Sequence, residues 1–380
     1  MGYANAGIYK LHSAERKTEA LPRKKVVFFC IVLKDEESNP FVKYYHRNRR
    51  YTPVLKLMNF SNHPYDLYRF SGDSNKIKKF LYKHDLQGLE IIQTSQWQKE
   101  TVSSSLLHGL HMRFWPAWLD FYRNDKDELY RQFGDIEAYK QYYGGETWEC
   151  VLEYYRNEIK TACDMGVKYI VFHVSHVQLE HCYNYKFTYG DEEIIEAFIE
   201  MINKLFKDTS ADFDLLLENQ WWPGLTLLDK KLAFRLMDGI NYPKKGFMLD
   251  IGHMMNTNTE LKTEEEGVEY ILRVLQNLEE LSSNIKGIHL NSSVSGKYVK
   301  EKIKNWGGFN KSECFFDRYL KVFEHIAKID NHIPFSHPSI KRVIEYINPK
   351  YLVYEFITNT FDELEQYVTL QNRVLKSLGE

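Results

Sequence analysis

Eight short, mostly apolar runs punctuate this chain, and most of the segments between them carry the three- and four-residue spacing of amphipathic helices. The runs are Lys25–Val32, Gly88–Ile92, Leu107–Arg113, Lys168–Ser175, Asp212–Asn219, Gly246–His253, Ile285–Asn291 and Tyr351–Ile357. Near-continuous apolar runs suit strands buried on both faces, as in a parallel sheet covered by its crossover helices. Thr147–Met165, stopped by Gly166, and Glu264–Leu281 are clear helical stretches between them. Strand and helix in this alternation predict an α/β chain folded as a (β/α)8 TIM barrel.

A chain of 380 residues with 43% hydrophobic content can bury a large core, and one barrel with insertions accounts for the length. The expected organisation is a polar N-terminal extension over 1–24 and a single barrel domain over 25–380, with insertions around 34–87, 114–145 and 292–350. Loops that follow strands start on the catalytic face of such a barrel, so long loops are expected there. The second is dense in aromatics, and Phe114, Trp115, Trp118, Phe121 and Tyr122 either overhang the mouth or pack a helix onto the barrel.

Five cysteines (Cys30, Cys150, Cys163, Cys182, Cys314) without a C-x-x-C pair fit reduced thiols and a cytoplasmic protein. The longest apolar run, Val26 to Leu33, is far too short to span a membrane, and Ala6 stands where a myristoylation signal wants Ser or Thr. No membrane partner is expected. The formal net charge of −2 leaves nucleic acid open, because a few local cations can bind phosphate without moving the total. The most basic stretch, Lys297 to Lys304, reads as a solvated helix face.

The ends of the runs carry the chemistry. His108 and His111, His173, Glu218, Asp250 and His253, His289 and Glu355 close successive strands. A divalent ion needs oxygen and nitrogen donors converging from several directions, and barrel strands deliver them at similar height. Any one of these residues is more often a hydrogen-bonded core group, but the set together points to a metal site. Glu218 and Glu355 follow Leu215-Leu216-Leu217 and Leu352-Val353-Tyr354, where an unpaired carboxylate would be costly to bury.

Leu217-Glu218-Asn219, Leu249-Asp250-Ile251-Gly252-His253, Gly287-Ile288-His289-Leu290-Asn291 and Tyr354-Glu355-Phe356 resemble the xylose-isomerase-like TIM barrels, which include sugar phosphate isomerases and epimerases and endonuclease IV. The resemblance covers roughly Lys25 to Leu375 and implies a divalent metal: Mn, Mg, Co or Zn, with Fe open. For an isomerase or epimerase of sugar or sugar phosphate, in carbohydrate metabolism, it implies one ion on Glu218, Asp250, His289 and Glu355. Glu218 and Glu355 would then move a proton as acid and base, with His253 on a substrate oxygen. This is the expected function, with a small sugar-type substrate as partner and the oligomeric state open.

The alternative is an endonuclease IV-like trinuclear phosphodiesterase, which would add His111, His173, His253, Asp330 and His332 as ligands and admit nucleic acid as partner. A multi-iron, peptide-modifying oxidase of related fold uses a similar donor set. The loop between His289 and Asp330 is much longer than the nuclease pattern, and Ser292-Ser293 stand where that pattern has Asp-Ser. Glu90 is expected to support the site from below. Arg113 is a candidate for a substrate phosphate or carboxylate, or for an ion pair with Asp120. Trp221 and Trp222 are candidates to stack on a substrate face, or to pack beneath their loop.

Overall fold

The computed structural model describes residues 54–207, 209–310 and 312–376, and within them eight parallel strands close into one barrel. The strands are β1 (Leu55–Ser61), β2 (Gly88–Ile92), β3 (Leu107–His111), β4 (Tyr169–His173), β5 (Asp214–Glu218), β6 (Lys245–Asp250), β7 (Ile285–Leu290) and β8 (Tyr351–Tyr354). Each pairs with its sequence neighbour, and β1 closes the ring on β8 through Leu55 opposite Tyr351 and Met58 opposite Tyr354.

The period of two along each strand divides the residues into two sets. Tyr169 and Val171 on β4, Leu216 on β5, Met248 on β6 and Tyr351 and Val353 on β8 fill the barrel with Leu57 of β1. Their neighbours Ile170, Phe172, Leu215, Leu217, Phe247, Leu249, Leu352 and Tyr354 belong to the outer core, where the helices pack. One more step of two along the inward set arrives at His173, Glu218, Asp250 and Glu355. Ligand-type residues therefore sit directly above an apolar plug. Strand register then levels them, with His173 opposite Glu218 and Asp250 opposite His289.

Seven strands lie where the apolar runs placed them; the first does not. Lys25–Val32 falls outside the described residues, and the ring is already closed by eight strands that begin at Leu55. β1 thus arises inside the stretch expected to be an insertion. The run Gly246–His253 is also shorter as a strand than expected. Asp250 ends β6 and caps the helix Ile251–Asn256, its Oδ1 accepting from the His253 backbone N–H at 2.6 Å.

The aromatic segment after β3 packs onto the barrel except at Phe114, which is half-buried and stands edge-on to His173 at 4.8 Å at the mouth. It leads into the helices Leu119–Tyr122, Lys126–Phe133 and Ile136–Tyr143; Trp115 and Trp118 ahead of them and Phe121 within the first are buried, and Phe121 stacks on Tyr143 at 4.0 Å. The long excursion between β7 and β8 carries the helices Gly296–Lys304, Phe315–Ile326 and Lys341–Ile347. Lys297, Lys300 and Lys304 are exposed on the first of these. Among the described residues, no helix is long and apolar enough to cross a membrane.

Candidate metal centre

At the C-terminal mouth of the barrel, nine side chains from six strand ends and one loop meet in a buried cluster. Glu218 lies at its middle, wholly buried. One carboxylate oxygen, Oε2, is 3.1 Å from His111 Nε2 and 3.0 Å from His173 Nε2; the other, Oε1, is 3.2 Å from His253 Nδ1 and 3.3 Å from His289 Nδ1. Asp250 Oδ2 and Glu355 Oε2 also approach His289 Nδ1, at 3.9 and 3.4 Å. Asp330 Oδ2 lies 3.2 Å from His253 Nε2 and 2.6 Å from His332 Nε2.

The donor atoms gather into ion-sized groups: His111, His173 and Glu218; Glu218, Asp250 and His289; His253, Asp330 and His332; and His111, His289 and Glu355. Within each, the ligand atoms lie within 4.8 Å of one another. All four residues expected to hold a single ion are present, and so are the five expected only for a multinuclear centre. His108 joins none of these groups; its ring lies against Gly88 near the start of β3.

Four of the five imidazoles have their far nitrogen engaged by a fixed partner. His111 Nδ1 is 3.1 Å from the Met112 carbonyl, His253 Nδ1 is 2.9 Å from that of Asn219, and His332 Nδ1 is 3.3 Å from that of Glu355. His111 therefore turns Nε2 to Glu218, and His253 and His332 turn theirs to Asp330, while His253 Nδ1 stays beside Glu218 Oε1. His289 is reversed: Glu90 Oε2 accepts from its Nε2 at 3.1 Å, so Nδ1 faces the cluster. Acceptors of this kind select the ring tautomer and aim the ligand lone pair, as second-sphere partners of metal-bound histidines do. Glu90, wholly buried on β2, thus supports the cluster from below.

Asparagine side chains hold the carboxylates. Asn291 Nδ2 donates to Asp250 Oδ2 at 2.9 Å and to Glu355 Oε2 at 3.2 Å, while Asn219 clasps the Asp250 backbone in both directions at 2.9 and 3.1 Å. Gly252 makes room for the first of these: a Cβ there would lie 1.9 Å from Asn291 Oδ1. The sequence motifs contain Asn219 and Asn291 but give them no role. The available signal is a polar amide immediately after Glu218 and two residues after His289, where burial demands a partner.

The charge balance also fits cations. Burial works against the ionised form of Glu218, but His173 and His289 outweigh it and hold the carboxyl well below its ordinary range. Burial also opposes charge on His111, yet its hydrogen bond to Glu218 pushes the imidazole up to about 9. Asp330 raises His332 to about 10 against the same burial penalty. Glu355 goes the other way, since burial, reinforced by Asp250 and Glu218, lifts it to about 8. The carboxylates thus draw positive charge onto their neighbours. Several buried donor atoms (Glu218 Oε1, His289 Nδ1 and Asp330 Oδ1) have no hydrogen-bond partner. Buried polar atoms are rarely left so, and ligation by divalent ions satisfies both the charge and the orphaned lone pairs.

The tryptophan expectation changes, and Arg113 loses one of its two alternatives. Trp221 and Trp222 are buried, packed with Val177, Cys182, Val299, Val322 and Ile329, and the Trp221 ring rests 5.0 Å from His253. They form a wall under the loop and offer no open stacking face. Arg113 does not pair with Asp120, which accepts instead from Gln132, Gln178 and Tyr189. Its guanidinium lies over Trp115 at 4.5 Å and Tyr154 at 5.3 Å.

Comparison with known proteins places this geometry in context. A family model described as the xylose isomerase-like TIM barrel matches residues 113–363. No curated protein matches the chain. Among solved structures, AsfvAP:AG aligns with a TM-score of 0.51 at 15% identity, over 87% of this chain and 100% of that one. Endonuclease IV from Thermus thermophilus gives 0.46 at 15%, over 85% and 99% of the two chains. A sugar phosphate isomerase/epimerase from Parabacteroides distasonis gives 0.44 at 12%, over 86% and 96%. At these identities the likeness bears on the fold alone.

Proposed function

The chain belongs to the xylose isomerase-like TIM barrel family, and from that premise we propose that it is a metal-dependent phosphodiesterase with a three-ion centre. His111, His173 and Glu218 would hold one ion, Glu218, Asp250, His289 and Glu355 a second, and His253, Asp330 and His332 a third. The carrying observation is the last group. A single-ion isomerase needs only the residues of β5 to β8, and would leave buried Asp330, together with His111, His173 and His332, without a task.

When bound, such ions neutralise phosphate oxygens and lower the pKa of water to generate a nucleophile at neutral pH. The chain's own contribution is arrangement. Glu218 reaches both the β3–β4 side and the β6–β7 side of the mouth with its two oxygens, which fixes the separation of the groups it serves. Asn291 holds Asp250 and Glu355 in one orientation, and Glu90 keeps a proton on His289 Nε2 so that Nδ1 stays a ligand. The buried plug of Leu57, Val171, Leu216, Met248 and Val353 keeps water out from beneath. Arg113, two residues beyond His111 and seated on aromatic rings, keeps a cation available for a phosphate oxygen.

A one-ion sugar or sugar-phosphate isomerase or epimerase is the second reading. It is favoured by one observation: Glu218 is held strongly acidic and Glu355 near neutral, the split that an acid/base pair of carboxylates needs. Metal counting by mass spectrometry, with assays on an abasic-site duplex, a simple aryl phosphodiester and a ketose panel, separates the two. Three ions per chain and phosphodiester cleavage lost in Asp330→Asn is the expected result. One ion per chain with solvent hydrogen exchanged into a sugar C–H would overturn it.

A further inference from the structure

The third ligand group differs from the others in how it is built. Its Asp330 and His332 stand on no strand; they close an excursion that leaves β7 at Leu290 and regains β8 at Tyr351. Ligands on so long a loop lose the precision that strands give unless something ties the loop back.

That tie is present at the end of β7. The Ser292 backbone N–H donates to the Ile333 carbonyl at 2.7 Å in an isolated antiparallel bridge. Ser293 then grips the other flank: its hydroxyl donates to the Ile329 carbonyl and accepts from the Asn331 N–H at 3.3 Å. One buried hydroxyl, 1% exposed, thus bonds the residues immediately before and after Asp330. His332 meanwhile adopts a φ of +46°, a left-handed conformation that a non-glycine residue keeps only when its surroundings enforce it. Neither serine touches a donor atom of the cluster.

We infer that Ser293 is the positioning residue of the third metal site, holding the Ile329–Asn331 backbone so that Asp330 and His332 meet His253 across the mouth. The inference rests on the reading that this group binds a divalent ion. Removing the hydroxyl unties both flanks of Asp330 at once, whereas the Glu218-centred groups, built on strands, keep their supports. Loss of a partner one shell beyond a ligand typically weakens metal affinity about ten- to a hundredfold.

The test compares wild type, Ser293→Ala, Ser293→Thr and Asp330→Asn, each stripped by chelator and titrated with Zn or Mn. Ion count, stepwise affinity and the melting temperature of the metal-free protein are read. The expected result is three ions in wild type and the loss of one in Asp330→Asn. In Ser293→Ala, one ion should be weakened by about ten- to a hundredfold while the other two keep their affinity. Ser293→Thr, which keeps the hydroxyl, should restore it. Three ions at unchanged affinity in Ser293→Ala overturns the inference, as does an equal weakening of all three with a lowered melting temperature. If wild type binds fewer than three ions and Asp330→Asn changes nothing, the three-ion reading itself has failed, and the inference fails with it.

Discussion

Gly252 offers a test in which the sign of the effect is the answer. It lies inside the helix Ile251–Asn256, where alanine is ordinarily favoured over glycine by about 1 kcal/mol. The fold argues the reverse, because the new Cβ would sit 1.9 Å from Asn291 Oδ1, 3.1 Å from Asn291 Cγ and 3.3 Å from Asp330 Oδ1. Asn291 would have to swing away, giving up its hydrogen bonds to Asp250 Oδ2 and Glu355 Oε2. The bond to Asp250 contributes about 1.5–3 kcal/mol and that to Glu355, largely protonated at pH 7, about 0.5–1.5, so Gly252→Ala should cost about 2–4.5 kcal/mol there and regain about 1 from helix propensity. The net expectation is a loss of about 1–3.5 kcal/mol by urea unfolding of the chelated protein at pH 7. In an Asn291→Ala background the obstruction is gone, and the same glycine substitution should be neutral or stabilising by up to about 1 kcal/mol. A Gly252→Ala protein as stable as wild type while Asn291 is intact would refute the reasoning.

Glu218→Gln should empty the two groups that share that carboxylate and leave the His253–Asp330–His332 group filled, so the ion count measured by mass spectrometry falls from three to one. Glu90→Gln removes the carboxylate that aligns His289, and chelator competition should show about a ten- to hundredfold weaker ion at the Glu218–Asp250–His289 group. The metal-free protein should lose stability as pH rises from 7 to 9. His111 and His332 are raised to about 9 and 10, and Glu355 and Glu158 to about 8, so the folded chain holds protons that the unfolded chain has released. A melting temperature flat or rising over that window would contradict the charge assignments. Saturating metal should remove most of the slope, leaving the part due to Glu158, which lies outside the ligand set.

How much of this was legible beforehand depended on which physical signal each part left in the sequence. β5, β6 and β8 announce themselves because Leu215–Leu217, Phe247–Leu249 and Tyr351–Tyr354 are buried on both faces and so read as unbroken apolar runs. β1 was missed for the converse reason. Its inward positions rise from Leu57 to Asn59 at the mouth, and Lys56 pairs with Asp85, so the strand reads as mixed polarity and Val26–Leu33 attracted the assignment instead. Candidate ligands were legible at the ends of β3 to β8, since a carboxylate or imidazole terminating an apolar run needs a partner. Asp330 and His332 carried no such context, and only the tertiary clasp from Ser292 and Ser293 brings them to the mouth. The amides of Asn219 and Asn291 were visible but mute, because a hydrogen-bond partner across strands has no fixed sequence offset.

The nine candidate ligands begin at His111 and end at Glu355, and none lies on β1 or β2, from which Glu90 reaches His289. The ring thus divides into a chemistry-bearing arc, β3 to β8, and a keystone arc of two strands that brings its ends together. For anyone redesigning this scaffold, the keystone can be recoded only around the positions that serve the centre: Leu57 in the plug, Asn59 on the Phe356 backbone and the carboxylate of Glu90 beneath His289. The remaining six strands form a single inheritance unit, in which altering one ligand strand disturbs groups on both sides of Glu218.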